Sequence, residues 1–151
     1  GDIICYKNHL FVGESDIASN RAGTEWLRNY IEPYGYMVHP MPMKGTVLHL
    51  LGIMVLVCEG VLLLFRDELD CELPAPLRDW DVIELSEDEA RAYATVGVSL
   101  DDKRYVMPSH LSRVGEELSR RGIEPIEIDY DHVSYWGGCV SCSTHAIARD
   151  P

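Results

Sequence analysis

One succession of elements recurs three times along the chain, and it limits the fold more than any other feature. The first unit opens with Asp2-Ile-Ile-Cys-Tyr6, turns at Lys7-Asn8 and returns as His9-Leu-Phe-Val-Gly13. A helical stretch follows from Ser19 to Ile31, with Trp26, Leu27, Tyr30 and Ile31 at the spacing of one face. Ser19 or Asn20 suits its N-cap, and Pro33 with Gly35 ends it before the strand Tyr36–Met41. The second unit repeats the hairpin as Gly52–Cys58, Glu59-Gly60 and Val61–Phe65. A polar, proline-punctuated segment from Arg66 to Arg78 then leads to the strand Asp81–Leu85. The third pairs Tyr93–Leu100 with Arg104–Met107 across Asp101-Asp-Lys103. Its helix, Ser109–Arg121, aligns Leu111, Val114 and Leu118, ends at Gly122 and precedes the strand Pro125–Asp129.

Hairpin, helix and strand at a period of roughly 40–50 residues is the signature of repeated modules arranged as an array or a ring. A plain α+β domain with accidental regularity is the alternative. In a ring, the connections that follow the third strand of each unit face one central space. His49 lies in that connection in the first unit, and Gly137–Thr144 in the third. The repeat therefore expects His49 and Cys142 to meet.

Composition narrows the partners. With 13 basic and 25 acidic side chains the 151 residues carry a formal charge of −12. Nucleic acids and anionic membranes are recognised largely by Lys and Arg, so both are disfavoured. The apolar fraction of 46% suits a packed globular chain. The longest apolar stretch, Val47–Phe65, is interrupted by His49, Cys58 and Glu59-Gly60, and reads as two buried strands instead of a membrane span. Five cysteines form no regular disulfide framework, which points to reduced thiols in the cytoplasm. Strand-like sequence directly after Gly1 suggests either a removed tag or a piece of a longer protein.

The densest site candidate is the run from Tyr135 to His145, where Gly137 and Gly138 precede Cys139, Cys142, two hydroxyls and His145. Three chemistries compete for it. Cys139, Cys142 and His145 offer metal-type donors, but structural zinc takes four ligands and no second C-x-x-C is present. A single thiol partnered by a distant His49 suits nucleophilic attack with acid–base assistance. The third option is a glycine turn with no chemistry, leading into a buried edge strand.

The string Gly137-Gly-x-x-x-Cys142-x-Thr144 resembles the nucleophile signature of the guanidino-group-modifying enzymes: amidinotransferases, dimethylargininases and arginine deiminases. Gly1-Asp2 before a hairpin is similar to the end of their acidic-residue-Gly-Gly-Asp segment. Phe11-Val-Gly13, Ser15 and Ser19-Asn20-x-x-Gly23-Thr-Glu-Trp26 resemble the glycine and inosamine-phosphate amidinotransferases. Leu48-His49-Leu50 is similar to the catalytic histidine motif, and Leu100-Asp-Asp-Lys-Arg104 also matches in kind. The resemblance covers nearly the whole chain.

What it implies is a pentein, an α/β propeller of five ββαβ modules, with about three of them in this chain and the others upstream of Gly1. Residues 1–151 would then be the C-terminal part of a longer catalytic domain. Cys142 would attack the guanidinium carbon of an arginine-like substrate, His49 would protonate the leaving amine, and water or a second amine would release the amidino group. The family's acid that orients the histidine would fall just upstream of Gly1; Asp2 is the nearest carboxylate in this chain and the candidate beside His49, and Gly137 and Gly138 border the substrate. No metal or organic cofactor is implied. The chain departs from the family at Leu51, where amidinotransferases and deiminases carry an Asp that grips the guanidinium and dimethylargininases do not. Oligomeric state is left open. The alternatives are a pentein-like binding protein without catalysis and a metal protein using Cys139, Cys142 and His145.

Overall fold

The computed structural model of the chain describes residues 1–145 and 147. Its strands form three separate sheets, ordered β1-β2-β3, β4-β5-β6 and β7-β8-β9. The first contains Ile3–Tyr6, His9–Glu14 and Met37–Pro42; the second Met54–Cys58, Val61–Leu64 and Asp81–Glu84. The third contains Val98–Asp101, Arg104–Pro108 and Glu124–Ile128. In every sheet the first two strands pair antiparallel and the last two parallel. The threefold repeat read from the sequence is thus a threefold structural repeat of a mixed α/β module.

A parallel pair needs a crossover, and the modules make it differently. In the first, α1 (Arg21–Ile31) provides it, with the Asn20 side chain accepting the Gly23 N–H at its start. In the third, α3 (Ser112–Arg120) provides it and buries Val114 and Leu118. The second uses only short 3-10 turns at Arg66–Glu68 and Ala75–Leu77. Pro74 and Pro76 explain this, because an interior proline removes a helical hydrogen bond and clashes with the preceding turn.

The sequence reading needs correction at several places. The face of α1 that meets the sheet carries Thr24, Leu27, Arg28 and Ile31, while Trp26 and Tyr30 point to solvent and stack with centroids 5.4 Å apart. Both stripes repeat at helical spacing, so periodicity alone could not choose between them. The third hairpin starts at Val98, not Tyr93. Residues 93–97 instead wrap the fully buried Tyr105, whose hydroxyl donates to the Ala94 carbonyl and accepts the Gly97 N–H. A short helix that the sequence reading lacked, α2 (Glu87–Arg91), precedes them, started by a reciprocal Ser86–Glu89 capping box.

Phe11, Leu50, Met54, Leu62, Leu63, Leu64, Tyr105, Met107 and Leu118 belong to one core that runs through all three modules. The central strand β5 is apolar at every position, as expected where a sheet is covered on both faces. Within Val47–Phe65 the strands β4 and β5 are largely core, and no helix among the described residues is long and apolar enough to cross a membrane. A smaller cluster joins Val96 to Cys139 and Val140. The third strands run parallel to the second, so the segments after β3, β6 and β9 all leave at the end where the first strands begin. That end carries the candidate site.

Candidate active site

His49 follows β3 on the connection to the second module. Its Nδ1 lies 3.3 Å from Asp2 Oδ1, at the start of β1. Asp2 is almost fully buried and its carboxylate is well supplied with donors. Oδ1 also accepts the Leu50 N–H at 3.2 Å. Oδ2 accepts the Ser19 hydroxyl at 2.6 Å and the Ser19 N–H at 3.1 Å. Burial by itself pushes this carboxyl upward; the Ser19 hydroxyl, the Leu50 and Ser19 amides and the neighbouring imidazole outweigh it, and the net direction is below the usual carboxylate range. Gly1 allows the close approach, since a Cβ there would stand 2.6 Å from His49 Cγ.

Cys142 sits in a 3-10 turn, Val140–Ser143, after β9 and the short helix α4 (Asp131–Ser134). The option of a glycine turn leading into a buried edge strand is not what forms; the chain turns again instead. Three contacts hold the turn: Val140 and Cys139 pack in the Val96 cluster, the Ser141 N–H donates to the Val96 carbonyl, and the Cys142 N–H donates to the Cys139 carbonyl. Gly137 and Gly138 have φ of +88° and +104°, in the region that L side chains avoid. A Cβ on Gly138 would also stand 3.2 Å from Cys142 Sγ. The glycine pair both turns the chain and clears space around the thiol, which is exposed.

His49, Gly1, Gly137, Gly138 and Cys142 line one cleft of about 810 Å3. This volume lies in the range of small-molecule sites, roughly 300–1,000 Å3. The two connections thus bring His49 and Cys142 to the lining of one cleft. Asp2 stands behind His49 rather than on the cleft wall.

The second connection supplies side chains that sequence reasoning missed: Glu87, Arg91 and Tyr93 line the same cleft. The repeat contained the signal, because this connection is the counterpart of those carrying His49 and Cys142. Tyr93 has φ of +65°, strained for an aromatic residue. Arg91 donates to Glu87 Oε1 from Nε and Nη2 at 2.9 and 2.7 Å. Asp67 and Glu68, just past the end of β5, were missed as well. Glu68 is buried and holds the loop before His49: its Oε1 accepts the Thr46 and Val47 amides and its Oε2 the Thr46 hydroxyl.

Cys139 is buried, and desolvation pushes its thiol up, away from the reactive thiolate. Among the described residues no three His, Cys, Asp or Glu side chains are grouped to hold a metal, so the geometry lends no support to a Cys139–Cys142–His145 centre. His9 and His39 lie outside the cleft and face each other with Nδ1 and Nε2 2.9 Å apart.

No protein-family profile matches the sequence. The chain is 27% identical to N(G),N(G)-dimethylarginine dimethylaminohydrolase of Pseudomonas aeruginosa over 146 residues, 94% of this chain and 53% of that protein. It superposes on SxtG, an amidinotransferase of the saxitoxin pathway from Microseira wollei, with a TM-score of 0.87 at 20% identity, covering 99% of this chain and 47% of that one. The inosamine-phosphate amidinotransferase StrB1 of Streptomyces griseus gives 0.85 at 19% identity, covering 99% and 46%. The chain spans about half the length of the curated relatives it matches. These likenesses bear out the fold expected from the sequence: the modules are those of the pentein fold of amidinotransferases and dimethylarginine hydrolases.

Proposed function

We propose that this chain carries the cysteine–histidine half of a guanidino-modifying active site, and acts as three modules of a five-module ring. The observation that carries this reading is the convergence of Cys142 and His49 on one cleft from two connections far apart in sequence, in a fold shared with amidinotransferases. The likeness to a dimethylarginine hydrolase in sequence supports the same substrate chemistry.

In this reading the Cys142 thiolate adds to the guanidinium carbon, forming a C–S bond and a tetrahedral intermediate. Collapse expels an amine, which takes a proton from His49, and leaves an amidino group on sulfur. His49 then removes a proton from water or an acceptor amine, whose attack breaks the C–S bond and returns the thiol. Asp2 fixes the imidazole through Nδ1, leaving Nε2 to exchange the proton. The Gly138 backbone keeps the sulfur accessible. No electron transfer is involved. Whether the acceptor is water or an amine separates a hydrolase from an amidinotransferase, and the residues of this half serve both.

The test uses the full-length protein. Incubation with 2-chloroacetamidine should place one adduct on the peptide containing Cys142, detected by mass spectrometry, and Cys142→Ala should remove both adduct and turnover of guanidino substrates. Replacing His49 by Ala should lower turnover by about 10²–10⁴-fold, the usual worth of a general acid–base group. A full-length protein that folds but yields no Cys142 adduct would instead be a binding protein built on the same fold.

A further inference from the structure

Resting on that guanidino reading, we propose that Asp67 is the carboxylate that receives the positive charge of the substrate. Amidinotransferases and deiminases were expected to grip the guanidinium two residues after the histidine. Here that position is Leu51, whose side chain packs partly against the core and partly lines the cleft. It offers no charge. The acids on the rest of the cleft wall are the groups of this chain that can supply it.

The ionised side chains on the cleft wall can be counted by what already holds them. Glu68 is buried, with both oxygens engaged by the Thr46 amide and hydroxyl and the Val47 amide. Glu87 is engaged by Arg91. Asp67 is exposed, lines the cleft, and has no hydrogen-bond or ion-pair partner among the described residues. Its charge is the one left uncompensated. Arg91 is the cationic side chain of Lys or Arg type on this wall, and it is already paired.

The backbone explains how Asp67 is aimed. It sits in the middle of the 3-10 turn Arg66–Glu68, directly after β5. Glu68 ties this turn to the Thr46–Val47 loop through its side chain, and its carbonyl accepts the Lys44 N–H at 3.0 Å. Arg66 Nε holds Glu84 on the other side at 2.9 Å. These ties hold the backbone of the turn and set the Asp67 side chain on the cleft wall. A guanidinium or amidinium offers two parallel N–H groups to such a carboxylate, which is a strong charge-assisted pairing. The favoured ligand class is a guanidine of net positive charge.

Binding can be read without catalysis in full-length protein carrying Cys142→Ala. Butylguanidinium and its neutral isostere butylurea would be titrated by calorimetry. Asp67→Asn should weaken butylguanidinium by about 10-fold or more, the usual worth of a hydrogen bond to a charged group, and leave butylurea unchanged. Asp67→Glu should restore most of the affinity. Equal affinity of the Asn variant and its parent for butylguanidinium overturns the assignment, as does equal loss for both ligands or failure of the parent to prefer the cation. Failure of the guanidino chemistry is read separately, from the absence of a Cys142 adduct in protein with Asp67 intact.

Discussion

Asp2 has four donors around two oxygens, and this arrangement makes its protonation a local structural event. Its folded pKa lies below the reference value of 3.8, so folding favours the ionised form. The associated stability is fully present above about 3.8 and is lost as pH falls through the lower folded value. Asp2→Asn should therefore lower stability at neutral pH, where its amide nitrogen faces buried donors it cannot accept from, and flatten the acid limb of a denaturation profile measured below pH 3.8. It should also lower turnover, because the amide no longer stabilises an imidazolium at Nδ1. Gly138 and Leu51 were legible as single letters in the sequence, but the physical meaning of each was not equally so. A glycine pair before a cysteine signals an unusual turn directly. Nothing local to Leu51 says which distant acid lines the wall beside it.

At the level of elements, the connections matter more than the strands. Strands and hairpins follow from alternation, turn residues and apolar runs, and their boundaries fell within a few residues of those read from the sequence, the start of the third hairpin excepted. The connection after β6 escaped that reading because its helix is only five residues long and mostly charged. Its position is set from outside. Arg113 of α3 donates to both oxygens of Glu89 at 2.6 Å and from Nη2 to the Glu84 carbonyl at 3.0 Å. The pair is bidentate and Glu89 is mostly buried, so Arg113→Ala should cost about 1–3 kcal/mol of stability. Its larger effect should be on order: amide hydrogen exchange should accelerate in residues 87–93, and affinity for a ligand that touches Arg91 or Tyr93 should fall.

Across the whole molecule the modules are joined by core and by polar ties. Arg121 of the third module grips Asp81 of the second through Nε and Nη2 at 2.7 and 3.0 Å. The Ser99 hydroxyl donates to the Val57 carbonyl at 2.6 Å, and Tyr6 meets Trp80 edge to face at 4.9 Å. Because Leu63 is completely buried in the continuous core, Leu63→Ala should destabilise the protein by about 2–5 kcal/mol. Chemical denaturation should show one transition shifted to lower denaturant, since the modules share that core; separate transitions would mean that they unfold independently.

The modules and the candidate residues they carry follow from the sequence alone. Periodicity and turn residues act locally, so three hairpin–crossover–strand units could be read directly, and the repeat even implied that His49 and Cys142 share a space. It could not decide which stripe of α1 faces the sheet, since Thr24 and Trp26 lie on stripes of equal period. Nor could it reveal that Glu68 and Glu87 are already engaged while Asp67 has no partner among the described residues. Those facts depend on which groups are brought within hydrogen-bonding distance by packing between modules. A carboxylate reads the same in the chain whether it is buried in donors or open to a ligand, and only the tertiary structure separates the two.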